Sequence, residues 1–159
     1  MKSPRVKNLN RVNPLPETLP YLALHHHRKK QLLKVRTLSR ICRNALPLCI
    51  AKAKTCRPDL SIIEVSMVSD ARIARVHSDF MHLKGATDVI TFPYGEIIVS
   101  VDTAEREAKK QKWSTETELA LYVIHGMLHL YGWEDASITE ASAMSQCQET
   151  ILKSALSSR

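Results

Sequence analysis

The chain is expected to fold as an α+β domain: a small mixed β-sheet packed with helices, its most chemically loaded segment lying on a central buried helix. Two observations carry that expectation. Short apolar runs, Ser61 to Val68 (with Ile63, Val65 and Met67 alternating), Val89 to Pro93 and Ile97 to Val101, read as strands. They are mixed with longer stretches of helical period, without regular βαβ alternation, which points to α+β. At 159 residues and 44% hydrophobic the chain fits one domain, 1–159, with no repeats and no internal linker.

The elements follow in order. Residues 1–20 hold Pro4, Pro14, Pro16 and Pro20 among basic and polar residues, the composition of an extended basic arm. Tyr21 to His27 is a candidate short strand. Its three histidines read as exposed additions to a basic surface, not as metal ligands. Gln31 to Ala53 is helical, with Pro47 a kink or break. Val35, Leu38, Cys42, Ala45 and Cys49 share one face; Lys29, Arg36, Arg40 and Arg43 form a stripe on the other. After the Ser61–Val68 strand, Ser69 or Asp70 caps a helix whose buried face is Ile73, Val76 and Phe80. Tyr94-Gly95 turns Val89–Pro93 into Ile97–Val101 as a hairpin. Asp102 and Glu105 read as a capping box for the next helix, and Thr115 and Glu118 as another. The helix that Thr115 opens is apolar almost all round (Leu119, Ala120, Leu121, Val123, Ile124, Leu128), so it belongs in the core. A last helix spans Thr139 to Leu156, with Ala141, Met144, Gln148, Ile151 and Ala155 at helical spacing.

Charge divides the chain. The net charge is +7, yet residues 1–57 hold 14 Lys/Arg against Glu17 alone, and the remainder is net acidic. A basic half attracts a polyanion, nucleic acid above all, because clustered Lys/Arg release counterions on binding; a merely solubilising surface is the competing explanation. No apolar run approaches the ~20 residues of a membrane span, and the basic N-terminus lacks the apolar core of a secretory signal. A cytoplasmic location is therefore expected, with no membrane partner. Cys42, Cys49, Cys56 and Cys147 form no C-x-x-C pair, which argues against a cysteine zinc site, and all four are expected to be reduced; Cys42 and Cys49, seven apart on one apolar helix face, read as packing residues.

The chemistry concentrates in His125-Gly-Met-Leu-His129-Leu-Tyr-Gly132-Trp-Glu-Asp135. Histidines four apart on a helix project from one face and can grip one ion. Gly132 can end that helix in a left-handed cap, after which the chain can return Asp135 as a third ligand. Three protein ligands with a fourth position open is the arrangement of a catalytic zinc. The bland reading is two core histidines bonded to backbone. Peptidases of the H-E-x-x-H type carry a glutamate base after the first histidine; here that position is Gly126. Peptide hydrolysis is disfavoured, while a zinc that brings its bound water to a pKa of about 7 still suits an ester or phosphodiester.

The order of motifs resembles the YbeY family of bacterial endoribonucleases. The resemblance runs from about Pro58 to Leu152 through Val68-Ser-Asp70, Ala86-Thr-Asp-Val-Ile-Thr-Phe-Pro93, Gly95-Glu-Ile-Ile-Val-Ser100, Glu118-Leu-Ala, the His125–Asp135 block, Met144, Gln148-Glu149 and Ile151-Leu152. It implies a metallo-endoribonuclease core over 58–156 with one bound zinc ion. It further implies single-stranded RNA as substrate, maturation of the 3′ end of 16S ribosomal RNA, ribosome quality control, and the small ribosomal subunit as partner. His125 and His129 would be two zinc ligands. Most of the family has histidine as the third, where this chain has Asp135; a carboxylate also binds zinc. Glu134 is an alternative ligand and the candidate catalytic base. The family usually carries a functional arginine before Thr-Asp-Val, and here that position is Met81.

The expectation is thus a zinc-dependent endoribonuclease in which Arg36, Arg40, Arg43, Arg72 and Lys84 hold RNA. The alternative is a catalytically weak or inactive RNA- or ribosome-binding factor that keeps its zinc. A zinc peptidase or amidase is the third reading. Eight aromatic residues and no RNA-reading aromatic motif make base stacking a minor expectation.

Overall fold

The computed structural model describes residues 18–27 and 33–158. Most of the expected arm, Lys29 and the Gln31 helix start lie outside the described residues. The elements are β1 (Tyr21–His26), α1 (Val35–Ala51), β2 (Ile62–Val68), α2 (Asp70–Met81), β3 (Val89–Phe92), β4 (Glu96–Ser100), α3 (Val101–Gln111), α4 (Thr115–Leu130) and α5 (Ile138–Ser157). The α+β expectation holds. Four strands form one mixed sheet in the order β1-β2-β4-β3. β1 and β4 flank β2 in parallel, and β3 pairs antiparallel with β4 as an edge strand, Ile90 opposite Ile98.

Period-two alternation sorts the side chains into two layers. Ile63, Val65 and Met67 of β2 join Ile97 and Val99 of β4 in the main core, each fully buried. Helices α1, α3, α4 and α5 belong to that face. On the opposite face Val68, Ile90 and Ile98 meet only Ile73 of α2, with Val76 and Phe92 at the margin. α4 is the central helix, with 12 of its 16 residues buried. It lies tight against the sheet: a Cβ on Gly126 would stand 2.8 Å from Ile97 Cγ2 and 2.9 Å from Thr91 Oγ1. A glutamate base at this position has no room, which strengthens the case against an H-E-x-x-H peptidase.

Several boundaries differ from expectation. Ser69 does cap α2, its hydroxyl accepting from Arg72 N–H. α3, however, is capped by Ser100 and not Asp102, and α4 by Ser114 and not Thr115. In each case a serine, two residues before Asp102 and one before Thr115, already has the extended backbone that lets its hydroxyl accept from the N–H three residues on. Glu118 instead accepts from Trp113 Nε1 at 2.7 Å. Asp102 accepts from Asp70 N–H at 2.9 Å, tying α2 to α3. The reciprocal box is at Ser137 and Glu140, opening α5. α1 continues through Pro47 without a break. Cys42 and Cys49 are packing residues as expected; burial pushes both thiols up, that of Cys42 to about 12. Phe80, assigned to a buried face, is 67% exposed because α2 overruns the small second core.

Candidate metal centre and adjoining groove

The centre is built where α4 stops. Gly132 takes φ +86, donates to His129 O at 3.0 Å, and Trp133 N–H reaches back to Leu128 O at 3.0 Å. This is the Schellman closure that a left-handed residue permits. The turn is clamped from outside. Lys54 and Thr55 N–H both donate to Tyr131 O at 2.9 and 3.1 Å, and Trp133 Nε1 donates to Lys52 O at 2.8 Å. Lys54 Nζ sits 4.1 Å over the Trp133 ring. A side chain at Gly132 would collide with Thr55. The reversal returns Asp135 to the two histidines.

His129 Nδ1 lies 2.9 Å from Trp133 O, which can only accept, so Nδ1 carries the proton. His125 Nδ1 meets Gln148 Oε1 of α5 at 2.9 Å and donates in the same way. With Nδ1 engaged in this way, the neutral form of each ring presents an Nε2 lone pair, and the two Nε2 atoms lie 3.0 Å apart. Asp135 Oδ2 is 3.6 Å from each Nε2. Lone pairs converging at that range with a carboxylate beside them call for a cation. Ligands of a tetrahedral zinc at about 2.0–2.1 Å stand roughly 3.3 Å apart, and the three separations bracket that value. His125, His129 and Asp135 could hold one metal ion. Outer hydrogen bonds of the kind supplied by Gln148 and Trp133 O fix tautomer and ring orientation in metal sites.

The donors open onto a groove of about 510 Å³ along the exposed edge of β3. It is lined by α4 and the loop after it, including Glu134, by His77 and Met81 of α2, and by Thr87 to Thr91. Arg57 contributes a guanidinium to the rim. It is held by Asp59 in a two-pronged ion pair (2.8 Å), by Pro93 O at 2.8 Å and by Leu130 O at 3.1 Å. Donating to the Asp59 carboxylate raises its already high pKa. His77 Nδ1 bonds Gly85 O at 3.0 Å, which leaves Nε2 as the acceptor in the neutral ring.

The sequence-derived candidates separate in space. His125, His129, Asp135 and Glu134 come together, and Met81 faces the same groove. Arg36, Arg40 and Arg43 instead line a shallow depression on α1, where Arg40 donates to Ser158 O at 2.8 Å. Arg72 and Lys84 are exposed but do not line the groove. Arg57 and His77 were missing from the sequence-derived set. Nothing local marks Arg57; His77 stands one helical turn before Met81, a spacing that could have flagged it.

A family model described as Endoribonuclease YbeY matches residues 23–156. The chain is 32% identical over 117 residues to an endoribonuclease YbeY of Myxococcus xanthus, a match covering 64% of this chain and 40% of that protein. It is 35% identical over 112 residues to one of a Synechococcus strain, covering 61% and 62%. It is 31% identical over 137 residues to one of Parasynechococcus marenigrum, covering 77% and 73%. A solution structure from Thermotoga maritima superposes with a TM-score of 0.56 at 24% identity, covering 84% of this chain and 88% of that one, a likeness of fold. The chain spans well under two thirds of the first of these relatives, but the family match runs nearly from β1 to the end of α5. By that match the chain belongs to the YbeY endoribonuclease family.

Proposed function

We propose that this protein is a zinc-dependent endoribonuclease that cuts single-stranded RNA, acting in maturation of the 3′ end of 16S ribosomal RNA and in ribosome quality control. The observation that carries the reading is the convergence of His125 Nε2, His129 Nε2 and Asp135 Oδ2 at the head of an open groove. Family membership supplies RNA as the substrate class. Bound zinc would supply Lewis acidity toward a phosphodiester. The residues of the chain do the rest. Gln148 and Trp133 O keep both Nε2 atoms turned inward. Arg57 offers positive charge to a phosphate at the rim, reduced by its pairing with Asp59. Glu134 stands at the groove as the candidate proton acceptor, and His77 Nε2 is a second candidate on the opposite wall. The small ribosomal subunit is the proposed partner. Among the described residues no helix is long and apolar enough to cross a membrane, which accords with the proposed cytoplasmic site of action.

One observation favours a second reading, a binding factor with weak or no catalysis. Met81 lies in the groove where the family resemblance implies an arginine, and a methionine offers no charged fork to a phosphate. Cleavage of a single-stranded RNA by the zinc-loaded full chain, beside His129→Ala and Asp135→Ala variants of equal helicity, separates the two. Cutting by the parent alone is expected. Binding without cutting by the parent, with zinc present, would establish the second reading instead.

A further inference from the structure

Three aromatic rings stand in a row just outside the groove. Phe80 meets Phe92 edge-on at 5.3 Å, and Phe92 stacks on Tyr94 at 5.5 Å with 20° between the planes. The outer two are among the most exposed large side chains of the described residues, Phe80 at 67% and Tyr94 at 68%. Core packing explains neither exposure. The second core ends at Val76 and Phe92, so Phe80 extends beyond it. Tyr94 is held in place by its hydroxyl, which donates to Glu96 at 2.7 Å. The row is thus fixed from both ends: by helix α2 at Phe80 and by the Phe92–Glu96 turn at Tyr94.

Its position gives it an occupant. Met81, the next residue after Phe80, and Pro93, between Phe92 and Tyr94, both line the metal groove. The row therefore continues the groove rim past the proposed site of cleavage. Exposed cations accompany it on the same segments: Arg72 and Arg75 on α2, and Lys84 in the loop that follows. Rigid exposed rings beside a phosphate-binding track are how proteins hold unpaired nucleic acid, because every base has a face to stack. A duplex hides those faces.

The geometry points to Phe80, Phe92 and Tyr94 as a stacking platform for unpaired bases of the RNA strand that enters the groove. This deepens the proposed function and rests on it. The platform makes the protein a reader of single strands by stacking, not by charge alone, and gives α2 a role that the missing arginine at Met81 does not supply.

The test measures binding of a short fluorescent oligoadenylate and of its abasic ribose-phosphate counterpart to the metal-free full chain, so that no cutting intervenes. The parent should prefer the oligoadenylate. Phe80→Ala combined with Tyr94→Ala should weaken oligoadenylate binding by about tenfold or more, the scale of a lost base–ring stack, and leave the abasic strand unaffected. Tyr94→Trp should retain the preference and show quenching of the new indole by the bound strand. Equal oligoadenylate affinity in parent and double variant would overturn the proposal. So would an unchanged affinity together with loss of self-association, which would make the row a contact between copies of the chain. RNA cutting without base preference would sink the platform alone; base preference without cutting would sink the proposed catalysis alone.

Discussion

The two helices that wall the groove are built to opposite standards. α4 is mostly buried, and between its two histidines it lies so close to the sheet that Gly126 leaves no room for a side chain. α2 buries only Ile73 fully and ends in two exposed hydrophobic residues, Phe80 and Met81. The difference teaches a division of labour. Close packing on one wall fixes the positions of the histidine donor atoms. The other wall is fastened mainly by polar contacts, which leaves its end available to a substrate.

Substitutions can break that contrast. The largest effect is expected in α4: Leu128→Ala should cost about 3–5 kcal/mol, within the range for a fully buried leucine, read as a shift in urea midpoint. Gly126→Ala comes next, since its methyl meets Ile97 and Thr91 below 3.0 Å; overpacking of this kind costs about 1–3 kcal/mol, and zinc affinity should fall with it.

Asp70 sharpens the contrast from the side of α2. Its carboxylate accepts from Ser100 Oγ, from Thr103 Oγ1 at 2.8 Å and from Arg106 at 2.7 Å, pinning α2 to α3. Burial raises its pKa, but the hydrogen bonds from Ser100, Arg106 and Thr103 together outweigh burial and hold it below the usual carboxylate value. A depressed folded-state pKa stabilises the fold above the unfolded value, and the gain disappears as pH falls through the folded value. Asp70→Asn should therefore cost about 1–2 kcal/mol at neutral pH. Parent and variant should converge in urea unfolding well below the unfolded aspartate pKa of about 3.9. A gap that widened on acidification would refute the assignment. The smallest effect is expected at the tip of α2, where Phe80→Ser should move stability by no more than about 0.5 kcal/mol.

What the sequence made legible follows the same division. His125, His129, Gly132 and Asp135 lie within one helix and its closing turn, so helical spacing and glycine chemistry were enough to bring them together. The alternation of Ile63, Val65 and Met67 likewise placed β2. Arg57 could not be read this way: it joins the groove through Leu130 O and Pro93 O, contacts made by a chain crossover and not by local spacing. The basic stripe was legible as a face of α1 but not in its position, which lies away from the groove. Phe80 misled because helical period assigns a face, while the extent of the sheet beneath decides whether that face is covered. The caps at Ser100 and Ser114 slipped by two residues and by one, because nearby polar residues compete for the position and only backbone dihedrals separate them.

If His125 Nε2, His129 Nε2 and Asp135 Oδ2 form one cation site, calorimetric titration of the metal-free full chain with zinc will show it. One ion per chain is expected, with no measurable binding by His125→Ala or His129→Ala, weakened binding by Asp135→Ala, and a roughly 10- to 100-fold loss for Gln148→Ala, which leaves the ligands intact but frees the His125 ring. Stoichiometric zinc binding that survives His129→Ala at the parent's affinity would contradict it.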